Sequence, residues 1–227
     1  MTYNEITKGR FLRRPNRFIA DVDINGEEMR VHVKNTGRCR ELLVPGAEVI
    51  LSGSRNPGRK TPYDLVAVYK GSRLINMDSY APNLVFGEYL RSGALGFVPD
   101  YIKPECTHGD SRFDFYFEVG DRKVFAEIKG VTLENAGVVR FPDAPTERGR
   151  KHMRGLARCT AEGYEAWAVF VVQMENVLYF EPNASTDPEF SEVLLEAEDA
   201  GVRILAYDCK VSENSLNIGK PVDIRLR

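Results

Sequence analysis

The pattern of secondary-structure signals changes once along this chain of 227 residues, near residue 80. Residues 17–77 hold short segments typical of strands, separated by turn signals such as Asn25-Gly26 and Pro45-Gly46. From residue 112 onward, strand-like segments alternate with segments in which apolar residues recur at helical spacing. This change predicts a two-domain α+β protein, and we place the domains at residues 1–80 and 81–227.

The first domain is predicted to be a small β-barrel. It shows no long segment with helical spacing, and the loop SRNPGRKTP separates its third and fourth predicted strands. Five short strands of this kind fit a closed barrel, for which the oligonucleotide-binding barrel is one candidate. The predicted strands are RFIADVDI, EEMRVHVK, AEVILSG, YDLVAVYK and SRLINM.

The second domain is predicted to be an α/β domain on a mixed sheet. The segment SYAPNLVFGEYLRSGALGF reads as a connection with a short helix, and AWAVFVV is a continuous apolar run typical of a buried parallel strand. The segment PTERGRKHMRGLARCTAEG has helical spacing, with Gly163 placed to end the helix. Asp187 followed by Pro188 predicts the start of a further helix, which Gly201 would end.

Several classes of protein lack support in this sequence. No apolar run reaches the roughly 18 residues of a membrane helix, and the N-terminal residues have no apolar signal region, so we expect a cytoplasmic protein without a membrane partner. The four cysteines form no C-x-x-C pair, which argues against a zinc ribbon. The absence of a Walker loop and of G-x-S-x-G argues against P-loop and serine hydrolase chemistry.

The charge distribution points to an anionic partner for the first domain. Residues 1–80 carry fourteen Lys and Arg against nine Asp and Glu, so the net charge of −2 divides into +5 for these residues and −7 for the rest. Asymmetry of this kind between the halves of a chain is typical of proteins in which the basic half has an anionic partner. A solvated surface of mixed charge would produce the same count.

The hairpin RFDFYFEVGDRKVFAEIKG, residues 112–130, places three ionisable side chains together. A two-residue turn at Gly120-Asp121 would set Asp114 opposite Glu127, and a four-residue turn would set Asp114 opposite Lys129. In either register these three side chains share one face. The other face would hold Phe113, Phe115 and Phe117 in the core.

Two carboxylates facing each other across a strand pair repel unless something compensates their charge. Lys129 could neutralise one of them, whereas Mg²⁺ or Mn²⁺ would neutralise both and could activate water against a phosphodiester. We therefore predict Asp114 and Glu127 as metal ligands and Lys129 as a catalytic residue that orients or deprotonates the water. The alternative is an exposed hairpin face with a surface ion pair of about 0–1 kcal/mol.

Further charged residues could complete such a site. Glu105, nine residues before Asp114, could supply a third carboxylate, although it could equally be a solvated surface residue. The predicted helix after the hairpin carries Arg148, Arg150 and Lys151, which could hold the phosphates of a nucleic-acid substrate. A solvated helix face would explain the same residues without a substrate.

Five segments of the chain, spread in order along nearly its whole length, resemble the sugar fermentation stimulation protein A family. They are NTGRCRELLVPG (35–46), RKTPYDL (59–65), GDSRFDF (109–115), EIKGVTL (127–133) and FPDAPTERGRKHMRGL (141–156). The resemblance implies an N-terminal oligonucleotide-binding barrel and a C-terminal domain of the PD-(D/E)XK nuclease fold. It also implies DNA binding, with a proposed role in regulating maltose and other sugar-metabolism genes.

Carried over by position, the resemblance implies a nuclease-like site of Asp114, Glu127 and Lys129, with Glu105 as the upstream acid. No Pro-Asp dipeptide occurs at Asp114, which follows Arg112-Phe113, although that proline is often missing from the superfamily. Gly155 interrupts the basic helix at a cost of about 1 kcal/mol relative to alanine. Gln173, after the apolar strand, is a further candidate to line the site.

Two hypotheses of function follow. The chain is either a DNA-binding regulator that retains a nuclease-like site for Mg²⁺ or Mn²⁺, or an active metal-dependent nuclease. In both, the partner is DNA, expected to be double-stranded, while a sugar binder has no supporting residue. The oligomeric state is left open, with a homodimer as one alternative. The predicted nucleic-acid contacts are Arg13, Arg14, Arg38, Arg59, Lys60, Arg148, Arg150 and Lys151.

Overall fold

The computed structural model describes residues 1–35, 37–54, 56 and 58–227. Thr36, in the first family motif, and residues 55 and 57 of the loop SRNPGRKTP therefore lie outside the described residues. No helix in the described part of the chain combines the length and the apolar character needed to cross a membrane.

The N-terminal part is a closed barrel of five strands with a sixth strand beside it, which confirms the predicted barrel. The bounds are β1 Ile6–Asn16, β2 Ile19–Ile24, β3 Glu27–Val33, β4 Glu48–Gly53, β5 Tyr63–Lys70 and β6 Arg73–Asn76. The strands pair in the order β3-β2-β1-β4-β5-β6, a parallel pairing of β3 with β5 closes the barrel, and β6 pairs with β5 outside the closed ring.

The first strand of the barrel was not predicted, because the strand signals in the sequence begin only at Arg17. Within β1, only Gly9 and Phe11 are buried, so apolar alternation is nearly absent. Its pairing with β2 and β4 holds it in place instead. Gly9 is required by this packing, since a Cβ there would lie 2.5 Å from Val22 Cγ1.

The C-terminal part is built on a six-stranded mixed sheet with strand order β15-β14-β12-β9-β8-β7, together with a four-stranded sheet, β10-β11-β13-β16. The helices are α1 Ala81–Arg91, α2 Glu147–Ala161 and α3 Pro188–Asp199. The strands are β7 Tyr101–His108, β8 Ser111–Val119, β9 Arg122–Val131, β10 Leu133–Asn135, β11 Val138–Phe141, β12 Glu165–Val172, β13 Tyr179–Pro182, β14 Arg203–Ser212, β15 Ser215–Pro221 and β16 Asp223–Ile224.

The central predictions for this domain are confirmed. The run AWAVFVV lies in β12, which pairs in parallel with β9 and with β14 and is almost wholly buried. Asp187 caps α3 by accepting a hydrogen bond from the Phe190 amide at 3.0 Å, and Pro188 is the first helical residue. The sequence did not predict β7, β10, β11, β15 and β16, which are short or largely exposed strands.

The two faces of the six-stranded sheet are covered by different helices. Helix α1 packs on one face against a cluster that includes Phe115, Phe117 and Trp167. Helices α2 and α3 pack on the other, where Phe113 lies 5.5 Å from Phe125 between ring centroids. The prediction that Phe113 shares a face with Phe115 and Phe117 is therefore wrong, and the cause lies in the geometry of Asp114 described below.

The barrel and the C-terminal domain meet through buried polar contacts as well as apolar ones. Gln173, which follows β12, donates from its side chain to Asn76 Oδ1 at 2.8 Å and to the Asp78 carbonyl at 3.0 Å. The backbone amide of Asn76 donates in turn to the backbone carbonyl of Gln173 at 2.9 Å. One hydrophobic cluster also contains residues of both parts. The domain boundary at residue 80 stays a prediction.

Candidate active site

The hairpin of β8 and β9 adopts the register expected for a two-residue turn. Val119 pairs with Arg122, and the ladder continues in step to Phe115 with Ala126. The next pair would be Asp114 with Glu127, but there β8 leaves β9 while remaining paired to β7. The strands thus diverge at the two predicted metal ligands.

Asp114 causes this divergence. Its Oδ2 accepts the Ile128 amide at 2.7 Å, so a side chain takes the hydrogen bond that the β8 backbone would otherwise accept. This departure turns the strand and moves Phe113 to the α2 side of the sheet. The other oxygen, Oδ1, accepts from Asn83 Nδ2 at 2.7 Å, which ties the site to the first turn of α1. Burial, followed by the charge of Glu127, raises the pKa of Asp114.

Glu127 is buried on the α2 side, with 3% of its side chain exposed. Its Oε1 accepts from Lys129 Nζ at 2.6 Å and also contacts His152 Nδ1. Burial would raise the pKa of Glu127, but the hydrogen bond from His152 and the charge of Lys129 outweigh it and hold this pKa below its usual range. The second oxygen, Oε2, is buried and has no hydrogen-bond partner in the described part of the protein.

Two residues of this site were missed in the sequence. His152 is 5% exposed and lies on the buried face of α2. A signal for it existed, since His152 precedes the apolar Leu156 by four residues and so shares its helix face. For Asn83 there was no such signal, because only the packing of α1 beside the diverging hairpin brings it to Asp114.

Glu105 is placed apart from these groups. It lies on β7 with a positive φ of 55°, between residues that pair with Phe113 and Phe115. Its side chain is 55% exposed and forms an ion pair with Arg112 at 2.9 Å. Among the described residues, no hydrogen bond or ion pair joins Glu105 to Asp114, Glu127 or Lys129. Its role as a third acid stays a prediction.

The residues present fit a divalent cation that keeps part of its water shell. The described residues contain no group of three or more His, Cys, Asp or Glu side chains that could hold a metal. Two carboxylates are nevertheless sufficient for Mg²⁺, which dehydrates reluctantly and retains several waters. The unpartnered Oε2 of Glu127 is the atom that such an ion would satisfy, since a buried carboxylate oxygen without a partner is costly.

A small cavity of about 120 Å³ lies beside the site. Its lining includes Gly130, directly after Lys129, and Gln173, but not Asp114, Glu127 or Lys129. That Gln173 lines the site itself stays a prediction. Gly130 has no room for a side chain, because a Cβ there would lie 2.5 Å from Gln173 Oε1 and 2.8 Å from Pro82 Cγ. The cavity therefore lies where Asn35 and Ser79 of the N-terminal part meet the end of β9.

Some of the nucleic-acid contacts predicted on the barrel are already bonded to other residues of the protein, and others are exposed to solvent. Arg59 binds Asp64 at 2.7 Å, and Arg13 binds Asp21 at 2.9 Å and also contacts Glu28. Arg14 donates to backbone carbonyls, and Arg38 and Lys60 are exposed.

The three predicted contacts on α2 also differ. Arg150 is only 15% exposed and binds Asp187 at 2.8 Å, so it joins the starts of α2 and α3. Lys151 is half exposed, 3.6 Å from Asp110, and Arg148 is exposed. Arg148 and Lys151 are therefore better placed than Arg150 to meet a ligand.

Comparison with known proteins covers both parts of the chain. Residues 80–215 match the family model described as the sugar fermentation stimulation protein RE domain, and residues 12–77 match that of the SfsA N-terminal OB domain. The sugar fermentation stimulation protein homolog of Desulfitobacterium hafniense is 55% identical over 226 residues, covering 100% of this chain and 99% of that protein. The homolog from Clostridium beijerinckii is 54% identical, with 100% of both chains covered.

A solved structure extends this similarity to the fold. SfsA from Pyrococcus furiosus, determined in complex with Ca²⁺, superposes with a TM-score of 0.88 at 28% identity, covering 99% of this chain and 98% of that one. Both family models, the full-length relatives and the superposed structure point to the same family. The chain belongs to the sugar fermentation stimulation protein A family.

Proposed function

We propose that this protein is a divalent-cation-dependent nuclease that acts on DNA. The observation that carries the proposal is the arrangement of Glu127, whose Oε1 is held by Lys129 and His152 while its buried Oε2 has no partner in the described part of the chain. A buried carboxylate oxygen without a partner is suited to bind a cation, and the second carboxylate, Asp114, is near enough for the charge of Glu127 to raise its pKa.

Asp114 and Glu127 would hold the ion, which we expect to be Mg²⁺ or Mn²⁺. When bound, the ion would supply an acidified water and charge stabilisation for a phosphodiester. The structure of Pyrococcus furiosus SfsA in complex with Ca²⁺ supports a site for a hard divalent cation on this fold. Calcium and magnesium share oxygen ligands but differ in size and rigidity.

The other residues position the acids and balance charge. The Ile128 amide and Asn83 orient Asp114, and His152 fixes the rotamer of Glu127. Lys129, with 14% of its side chain exposed, could donate from Nζ to a phosphate oxygen and offset negative charge that develops in the transition state. These contacts would hold the site ready before a substrate arrives.

DNA is the proposed substrate because the exposed basic residues Arg38, Lys60 and Arg148 offer contacts to a phosphate backbone. Double-stranded chromosomal DNA would be met in the cytoplasm, where we expect the protein to act.

A second candidate function is regulation by DNA binding without cleavage. The observation that favours it is the ion pair of Lys129 with Glu127 at 2.6 Å, which already balances one acid in the absence of a cation. A scaffold of this kind would fit a protein that regulates sugar-metabolism genes. Binding would then be salt-dependent and would need no metal.

Cleavage of supercoiled and linear DNA with Mg²⁺ or Mn²⁺ tests the first proposal. Wild type should nick and linearise the plasmid, and Glu127→Gln should abolish this. Glu192→Gln is a matched control, because Glu192 is an exposed acid of α3 outside the candidate site. Intact plasmid with wild type, or equal cleavage by Glu127→Gln, would reject the nuclease. Salt-dependent gel-shift binding in EDTA by such an inactive protein would favour the regulator.

A further inference from the structure

A pocket at one end of the barrel gathers four arginines. It has a volume of about 270 Å³ and lies between the β1–β2 turn and the loop that joins β3 to β4. Among the described residues, its charged lining consists only of Arg14, Arg17, Arg38 and Arg40. The remaining lining residues are Asn16, Gly37 and Leu43, so no carboxylate of the described chain lines the pocket.

Arg14 builds the floor of this pocket. Its guanidinium donates to the carbonyls of Asn35, Arg17 and Arg38 at 2.7 Å and to that of Gly37 at 2.8 Å. These bonds fix the turn and the loop against each other. Because its partners are carbonyls, the positive charge of Arg14 is not met by a carboxylate.

The other three arginines are exposed and open to a ligand. Arg17, Arg38 and Arg40 form no ion pair with any carboxylate of the described residues, whereas Arg13 and Arg30 on the same barrel both bind Asp21. Three such guanidinium groups around one concavity repel each other and favour an anion. A phosphate suits them, since guanidinium groups bind its oxygens in a bidentate manner.

An exposed aromatic ring lies at the rim. Phe18 is 48% exposed, and the Arg17 guanidinium carbon lies 5.5 Å from the centroid of its ring. The backbone of Phe18 is fixed, because its amide donates to Asn16 Oδ1 at 2.9 Å and its carbonyl accepts the Val33 amide at 2.8 Å. The ring is thus held outward by a rigid turn. A flat ring beside a phosphate site can stack on a base only if that base is unpaired.

We propose that this arginine pocket binds a phosphate of an unpaired DNA strand while Phe18 stacks on the adjoining base. The inference rests on the proposal that the protein binds DNA, and it adds the form of the strand and the residues that hold it. The pocket lies on the barrel, so it would hold DNA with residues separate from the carboxylates of the C-terminal domain. An unpaired strand occurs at a frayed or resected end of a duplex.

The test is the binding of the full chain to a labelled oligothymidine and to a blunt duplex, measured by fluorescence anisotropy in EDTA so that no cleavage can occur. In the variant with both Arg38→Ala and Arg40→Ala, affinity for oligothymidine should fall at least about tenfold. The slope of log affinity against log salt should shrink by about 0.7, as expected for a single strand when one phosphate is no longer bound. Arg10→Ala is the matched control, since Arg10 is an exposed barrel arginine outside the pocket.

Variants of Phe18 distinguish the contribution of base stacking to DNA binding from the contribution of charge. Phe18→Leu should weaken oligothymidine binding by about 5- to 100-fold and leave duplex binding nearly unchanged, while Phe18→Tyr should bind as wild type does. Wild-type affinity for oligothymidine in the double arginine variant would overturn the phosphate pocket. An equal loss for duplex and oligothymidine in Phe18→Leu would overturn the preference for an unpaired strand.

These outcomes are separable from those of the nuclease assay. If wild type cleaves plasmid but the pocket variants bind oligothymidine normally, the pocket inference fails and the nuclease stands. If the variants lose binding while wild type cleaves nothing with any cation, the pocket stands and the nuclease fails. Wild type that binds neither oligonucleotide would reject the pocket outright.

Discussion

The pKa values of the two acids of the candidate site are shifted in opposite directions by their surroundings. Burial and the neighbouring Glu127 raise the pKa of Asp114, whereas His152 and Lys129 hold the pKa of Glu127 below its usual range. Glu127 is therefore the acid that stays ionised most readily. Its free Oε2 makes it the expected anchor of a cation, and His152 is the residue that keeps this oxygen free.

Replacing His152 should weaken cation binding without removing a ligand. In His152→Phe, Glu127 keeps only Lys129, and we expect the affinity for Mn²⁺ to fall about 10- to 100-fold, as is usual when a residue supporting a metal ligand is lost. Isothermal titration calorimetry with Mn²⁺ would measure this. His152→Asn, which keeps an amide donor near the Nδ1 position, should recover part of the affinity. Unchanged binding in His152→Phe would show that Lys129 alone fixes Glu127.

Gly155 is explained by packing, although the sequence suggested a stronger helix former. A Cβ at this position would lie 2.8 Å from Ser111 Oγ and 3.1 Å from Phe113 Cζ, so α2 approaches β8 closely here. We expect Gly155→Ala to lower the free energy of unfolding by about 1 kcal/mol, since overpacking of about 1–3 kcal/mol exceeds the gain in helix propensity. Urea unfolding would measure it, with Ser111→Ala added to relieve the closest contact. A more stable Gly155→Ala would contradict this.

At the scale of elements, Asp187 joins two helices. It caps α3 through the Phe190 amide and accepts the Thr146 amide at 2.8 Å, where α2 begins. It also binds Arg150 at 2.8 Å. The basic residue predicted to hold DNA is thus engaged in joining α2 to α3. Burial alone would raise the pKa of Asp187, but these amides and the guanidinium together lower it.

The lowered pKa of Asp187 predicts a pH-dependent contribution to stability. A carboxyl with a lower pKa in the folded than in the unfolded state stabilises the fold fully above the unfolded value of about 3.9, and this stabilisation is lost as pH falls through the folded value. Asp187→Asn should therefore be less stable than wild type at pH 7, and the difference should shrink below about pH 4. Thermal unfolding of both proteins across this range would measure it. A difference that does not change with pH would contradict the prediction.

At the scale of the whole molecule, buried polar contacts join the barrel to the C-terminal domain. Gln173 and Asn76, both buried, exchange side-chain and backbone hydrogen bonds between the two parts. Nearby, Glu134 of β10 binds Lys70 and Arg73 of the barrel at 2.8 Å. These contacts fix the arginine pocket of the barrel relative to the carboxylates of the C-terminal domain, which a single strand of DNA reaching both would require.

Replacing Gln173 should weaken the coupling between the unfolding of the barrel and the unfolding of the C-terminal domain. Wild type should unfold in one transition, whereas Gln173→Ala leaves the Asn76 side chain without one buried partner, at a cost of about 1–3 kcal/mol. We expect a lower melting temperature and a broadened or divided transition in calorimetry. Asn217→Ala, at an exposed position of β15, is a control for surface change. A single transition at the wild-type temperature in Gln173→Ala would show that apolar contacts alone join the parts.

Local patterns in the sequence were sufficient to predict the barrel, the central β12 strand and the N-terminal cap of α3, because each depends on neighbours in the chain. They left two registers open for the hairpin of β8 and β9, and the structure shows the register of the two-residue turn. Alternation and the Gly120-Asp121 turn set which residues of β8 and β9 pair, as far as Phe115 and Ala126. Asp114 and Glu127 lie one step beyond the last pair, where the two strands part. Strand β1 was beyond local reasoning, since its partners rather than its own apolar residues hold it.

The sequence by itself determined the two-domain architecture and the family, and it led to the prediction of Asp114, Glu127 and Lys129 as a site, because turn chemistry and side-chain periodicity act over short distances along the chain. Only the tertiary structure decided that Asp114 parts the strands, that His152 and Asn83 support the two acids, and that Arg150 joins helices. It also decided which arginines remain open. These features depend on contacts between residues such as Asn83 and Asp114 that lie far apart in sequence and meet only when helices pack on the sheet.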